Sequence, residues 1–238
     1  MSLIASRSFL PAPFFPLLPS KNTCMIEITS PQLPSEPTSP SNPLLLHEAE
    51  EVTDAVFRGA DFMTLCREHL SIQSGRFTGC HFAGASLLRS QWSDVLFRNC
   101  DFSNADLSGC SFHRVQFVDC KLSGTNLSET TGHHLLLERC KGEYLNFSFS
   151  RFRTARFSDS CLRGSIFSDC RFERSEFTVC DLSQAEFFGT RLCGLSFSDS
   201  EIHGIRVREI GSLELKGLKI NALQAAELVR LLGVEIER

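Results

Sequence analysis

Cysteine and histidine are the residues of this chain best suited to metal binding, disulfide formation or nucleophilic chemistry. Eleven cysteines in 238 residues would suit a disulfide framework or a thiolate metal site. Their spacing points elsewhere. Cys80, Cys100, Cys120, Cys140 and Cys180 are separated by multiples of twenty. A row in parallel register lacks the short paired spacings that gather ligands around zinc, so it reads as reduced thiols filling space. His133 and His134, beside Gly132, are the only local concentration of catalytic-type residues. They read as part of a bulged or kinked segment. His113 and Arg114 are assigned no chemical role. The sequence holds no Walker-type phosphate loop, no paired CxxC and no HExxH. The expectation is a non-enzymatic protein with no catalytic residue, cofactor or metal.

The elements that position these residues follow a period of five. Every fifth position from Phe57 to Val207 gives 31 slots, of which 28 are apolar, 16 of them Phe. Arg67, Gly132 and Gly142 are the exceptions. Two residues before each large slot lies a second set of 31 positions without a charge, 23 of them Ala, Cys, Ser, Thr or Gly. Seven of the cysteines fall in it. Nine of the fifteen glycines stand two residues after a large slot. A large and a small side chain two apart point to the same side of a short extended segment, and a turn then redirects the chain. Four such segments close a square coil of twenty residues, with coils about 4.8 Å apart. The expected fold is all-β, a quadrilateral β-helix with a short C-terminal α-helix. Phe57, Phe77, Phe97, Phe117, Phe157, Phe177 and Phe197, with Leu137 between, should form one ladder of stacked rings. Arg67 implies an irregular first coil with its charge turned outward.

Three regions are expected: a tail over 1–48, the repeat array over 49–208 and a terminal cap over 209–238. All nine prolines lie in the first 48 residues, a composition that reads as a mobile tail, with Met25 as an alternative start. The opening segment has one basic residue and Pro11, Pro13 and Pro16 interrupt its apolar run, so it makes a poor signal peptide. No run reaches the roughly 18 apolar residues of a membrane span, and a cytoplasmic location is expected. After Val207 the frame ends. Residues 212–219 read as a last strand, and Asn221 with Gln224 as the capping pair of a helix over about 222–232 that stops at Gly233. A solenoid end needs a cover. Leu228, Leu231, Leu232, Val234 and Ile236 are the candidate interface of a homodimer.

The repeats GADFM and DFSNADLSGC resemble those of the pentapeptide-repeat family. Residues 108–127, SGCSFHRVQFVDCKLSGTNL, and 217–236, GLKINALQAAELVRLLGVEI, resemble the Qnr-type quinolone-resistance proteins, as does MIEITSPQLPS from Met25. The unbroken frame is closest in kind to their loop-free members. That resemblance implies a right-handed β-helix paired tail to tail, a rod shaped like B-DNA, and DNA gyrase or topoisomerase IV as partner, with reduced fluoroquinolone susceptibility. Direct nucleic-acid binding is not expected. DNA carries about one negative charge per 1.7 Å of axis, whereas residues 57–207 hold 17 acidic and 17 basic side chains. Mimicry would therefore be local, with Asp61, Asp101, Asp181 and Glu201 as the candidate acidic column. Arg151, Arg171 and Arg191 line another face. The alternative function is an interaction scaffold of the same fold with an unrelated partner.

Overall fold

The computed structural model describes residues 26–35, 40–208 and 213–230. The twenty-residue period appears as backbone register. Seven eight-residue strands, β1 (Glu51–Arg58), β3 (Ser71–Thr78), β5 (Gln91–Arg98), β6 (Ser111–Val118), β7 (Thr131–Glu138), β8 (Arg151–Ser158) and β9 (Arg171–Thr178), stack in parallel. Phe57 pairs with Phe77, Phe77 with Phe97, Phe97 with Phe117, Phe117 with Leu137, Leu137 with Phe157 and Phe157 with Phe177. The short strands β2 (Cys66–Glu68) and β4 (Ser86–Leu88) pair on another side. Bridges from Asp61 through Asp101 and Asp181 to Glu201, and from Ser86 through Asp106 to Arg206, continue the stacking on the remaining faces. The chain is a β-solenoid.

Most corners are made by a left-handed residue at the same position of the pentad. All nine glycines that follow a large slot by two have positive φ, as do Asn99 and Asn104. Glycine and asparagine enter this region at low steric cost. Five of the seven long strands, β1 to β7 in the stack, also turn a corner at their fourth residue, where Asp54, Ser74, Asp94, Arg114 and His134 have φ of 50–60°; Thr154 of β8 and Arg174 of β9 do not enter this region.

The core is filled by alternating stacks. Phe77–Phe97 and Phe97–Phe117 stack at 4.9 and 4.8 Å, while Phe97 meets Phe102 edge-on at 5.0 Å. The expected ladder changes at its end, where Phe177 and Phe197 meet at 85°. The small slots do more than save space. Cys110 Sγ donates to Leu87 O, Thr125 Oγ1 to Phe102 O, Ser150 Oγ to Leu127 O and Ser165 Oγ to Gly142 O, at 2.8–3.1 Å. Each reaches a large-slot carbonyl 23 residues back. A hydroxyl or thiol therefore suits a corner better than its size alone implies. The seven small-slot cysteines are buried and unbridged, and burial pushes Cys110, Cys170 and Cys180 up to about 12.

The weak slots are repaired locally. A Cβ on Gly132 would lie 2.9 Å from Phe152 Cδ1, and one on Gly142 2.6 Å from Leu145 Cδ1. Leu135 and Leu145 occupy small slots three residues later, so a large residue has moved across the coil in each case. Pairing of β7 with β8 shifts register between Gly132 and Leu135, the irregularity expected there. Arg67 donates to the carbonyls of His47 and Ala49, the latter at 2.9 Å. It ties the first coil to helix α1 (Leu45–Glu48), whose Leu46 is fully buried.

Both ends differ from expectation in detail. Residues 40–48 fall within the expected mobile tail, yet Ser41 N–H donates to Val56 O at 2.6 Å and Leu46 enters the core. One apolar side chain over an open coil outweighs the polar composition around it. At the other end the chain from Glu214 to Lys219 pairs with the last coil through Leu192 N–H to Glu214 O and Phe197 N–H to Lys219 O, both 2.9 Å. Helix α2 (Ala222–Arg230) is capped by Asn221 and Gln224, each backbone N–H donating to the other's side-chain oxygen at 2.9 Å.

Candidate interaction surfaces

Asp61, Asp101, Asp181 and Glu201 share one bridged column, as their spacing requires. The carboxylates of the three aspartates are engaged locally. Asp61, Asp101 and Asp181 each accept the backbone N–H two residues on, at 2.9–3.0 Å. Asp101 also meets Lys121 at 3.4 Å, and Asp181 meets Arg163 at 2.8 Å. The column is therefore a row of turn caps with cations between, and its charge is partly neutralised. On another face Arg151 stands opposite Arg171 in register. Neither has a carboxylate partner among the described residues. Beside them Phe149, 60% exposed in a left-handed conformation, borders a shallow depression with Glu129, Thr130, Thr131 and Arg151. Tyr144, also left-handed and 65% exposed, lies over Gly164.

The most elaborate surface was not anticipated. Residues 26–35 lie across the coils, meeting the long strands at the corner residues Ser74, Asp94 and His134 and then at Arg156 and Glu176. Gln32 N–H donates to Asp94 Oδ1 at 2.7 Å, and Ser74 Oγ donates to Gln32 O at 3.2 Å. Thr29 N–H donates to His134 Nδ1 at 3.1 Å, with His134 Nε2 at 3.5 Å from Thr29 Oγ1. Neutral His134 with its proton on Nε2 satisfies both contacts. Ile26 N–H donates to Glu176 Oε2 at 3.1 Å, and Arg156 donates to Ile26 O. These partners lie 62, 105 and 150 residues from the strap.

The acceptors are held in place. Arg114 grips Asp94 with Nε at 2.6 Å and Nη2 at 2.5 Å, and this fork keeps the nearly buried carboxyl below its usual range. Arg156 donates to Glu176 Oε1 through Nε and to the strap through Nη2. His134 is pushed below the ordinary imidazole range by burial, then by Arg174 and Arg114, with Glu27 opposing. His133, 4.4 Å away between ring centres, is lowered by burial and by His134. His113 and Arg114, left without a role by sequence, thus belong to this cluster. The clustering itself was legible in the twenty-residue spacing of 94, 114 and 134; its use was not.

At the far end, Gln224 Nε2 donates to Phe197 O and Ser200 O at 2.7 and 2.5 Å, seating α2 on the last coil. Leu228 packs against the core. Leu231, Leu232, Val234 and Ile236 lie outside the described residues. No helix among the described residues is long and apolar enough to cross a membrane.

The sequence matches the family model of the pentapeptide repeat region over residues 90–167 and 110–187. No curated protein matches it. Among solved structures, a trypsin-treated variant of QnrB1, a plasmid-mediated fluoroquinolone resistance protein, is 19% identical, with a TM-score of 0.40 over 79% of this chain and 90% of that one. HetL, a pentapeptide repeat protein involved in heterocyst differentiation regulation in the cyanobacterium Nostoc, is 14% identical, with a TM-score of 0.24 over 71% and 86%. A pentapeptide repeat protein of the Arabidopsis thaliana thylakoid lumen is 20% identical, with a TM-score of 0.20 over 68% and 90%.

Proposed function

We propose that this chain, a pentapeptide-repeat protein, works without catalysis as a rod that binds other proteins through its faces. The observation that carries this reading is the division of labour in each pentad. Large and small slots are spent on a filled core, and the remaining side chains are displayed on faces made of stacked backbone. Convergent polar groups in an enclosed pocket, the usual setting of an enzyme site, have no place in that plan. The finer reading is a homodimer joined through its C-terminal helices that engages DNA gyrase or topoisomerase IV. It is supported by the resemblance of residues 108–127 and 217–236 to Qnr-type proteins. The capped and partly paired acidic column argues for recognition by shape and local charge rather than by a continuous acidic surface. Purified full-length protein is expected to bind immobilised gyrase and to alter its supercoiling or its fluoroquinolone sensitivity. Absence of both effects removes the topoisomerase reading and leaves the scaffold, for which pull-down with the Arg151→Glu/Arg171→Glu variant as control identifies partners of the basic face.

A further inference from the structure

The strap contacts recur with a period. Ile26, Thr29 and Gln32 each donate a backbone N–H to a side chain of the rod, three residues apart. The acceptors Asp94 and His134 are separated by two coils, and Glu176 lies about two coils further. Two coils advance about 9.6 Å. An extended chain of polyproline type returns to the same side every three residues and advances about 9.3 Å. The two repeats are commensurate, so one side of such a peptide can meet a fresh acceptor at every turn.

The prolines obey the same rule. Pro31, Pro34, Pro37, Pro40 and Pro43 are spaced by three, one residue before the positions that continue the donor series. Proline lacks an N–H, and this spacing keeps it out of phase with Ile26, Thr29 and Gln32 while favouring the extended form. The rod side is built to receive it: Arg114 and Arg156 fix the two carboxylates, and Ser74 and Arg156 donate to strap carbonyls. Glu27 lies near enough to His134 to oppose the effect of Arg174 and Arg114 on that ring.

We propose that the corner residues Ser74, Asp94 and His134, with Arg156 and Glu176 two positions past the corner register on β8 and β9, form a binding site for extended, proline-punctuated peptides, and that residues 26–35 occupy it as a tethered ligand. The partner it fits is an extended segment of another chain with free N–H groups every third residue, prolines out of that phase and a carboxylate at the place of Glu27. Such a segment gains the site by displacing the strap. The site is independent of whether a topoisomerase binds the other faces.

Two measurements on the full chain test this. Amide exchange read residue by residue should be slowed at least tenfold at Thr29 and Gln32 relative to Ser30, and Asp94→Ala should abolish the slowing at Gln32 while the coils stay protected. A chain with Thr29→Pro and Gln32→Pro, its strap disarmed, should bind a fluorescein-labelled peptide of residues 24–36 at least tenfold tighter than wild type does, by anisotropy. The same peptide carrying both prolines should bind the disarmed chain at least tenfold more weakly. Unslowed amides overturn the proposal. So does a labelled peptide that fails to bind a disarmed chain whose circular dichroism shows intact coils, or one that binds both chains, or in both forms, equally well.

Discussion

If Leu145 replaces the side chain missing from Gly142, the two positions must be coupled energetically. Leu145 is fully buried and would lie 2.6 Å through Cδ1 and 3.2 Å through Cγ from a Cβ on Gly142, with Cys161 O at 3.4 Å. Gly142 does not adopt a left-handed conformation, so a side chain there is excluded by crowding alone. Gly142→Leu should therefore overpack the coil and cost about 1–3 kcal/mol or more. Leu145→Ala should open a cavity and cost about 2–5 kcal/mol. Together they restore the large-then-small order of neighbouring pentads, and the double variant should lie within about 1.5 kcal/mol of wild type. The coupling between the sites would then be at least about 1.5 kcal/mol, well inside or above the roughly 0.5–3 kcal/mol typical of residues in contact. Urea unfolding followed by far-UV circular dichroism gives all four corners of the cycle. Costs that add, with coupling below about 0.5 kcal/mol, would refute the exchange of volume between slots.

Other consequences are equally open to measurement. His134 must be neutral at Nδ1 to accept from Thr29, so a proton taken up there breaks that contact, whereas burial and the neighbouring arginines hold its pKa below the ordinary imidazole range. Docking is therefore complete above the ordinary imidazole value of about 6.5 and weakens as pH falls through it. Arg174, Arg114, His133 and Glu27 face this ring; exchange at Thr29, corrected for intrinsic rates, should accelerate between about pH 7 and 5, and His134→Gln should flatten the dependence. Cys66 and Cys193 are exposed and should react promptly with a thiol reagent, while Cys110, Cys170 and Cys180, pushed up to about 12, should react only on unfolding. Placing Asp at two of Leu228, Leu231 and Leu232 should convert a dimer to monomers in sedimentation, and a monomeric wild type refutes the interface. Arg171→Glu should stabilise the rod by about 0.2–1 kcal/mol in urea by removing a like-charge pair with Arg151; a loss of stability refutes the repulsion.

The solenoid was legible because every pentad repeats the same physical problem, a large residue inward, a small one at the corner and a left-handed turn. Even its faults were visible: Gly132 and Leu135, or Gly142 and Leu145, are paired departures from the slot pattern. The strap was hidden for a different reason. Its composition is that of a segment unable to bury apolar area, and it is held instead by main-chain donors meeting acceptors 62–150 residues away. Such bonds depend on the phase of N–H groups along the chain, which composition does not carry. The three-residue spacing of the prolines was the one local trace of it.

The neutral rod has its own cause in the same period. Among the described residues, six ion pairs join residues twenty apart: Asp94–Arg114, Asp101–Lys121, Asp119–Arg139, Arg153–Glu173, Arg156–Glu176 and Glu186–Arg206. Side chains on adjacent coils stand about 4.8 Å apart, close enough for like charges to destabilise and opposite ones to help by about 0.2–1 kcal/mol. Stacking thus selects alternation of sign down each column, and zero net charge follows from the coil spacing before any partner is considered. A dense acidic column would have to be held against that repulsion in every coil. The informative surface positions are then the ones that break alternation. Asp61 and Asp101 do not, Asp181 opposite Glu201 does although Arg163 offsets it, and Lys121 opposite Lys141 does as well. Arg151 opposite Arg171 does, beside the exposed ring of Phe149, and a stacked rod that keeps two arginines in register there retains a feature its own stability disfavours.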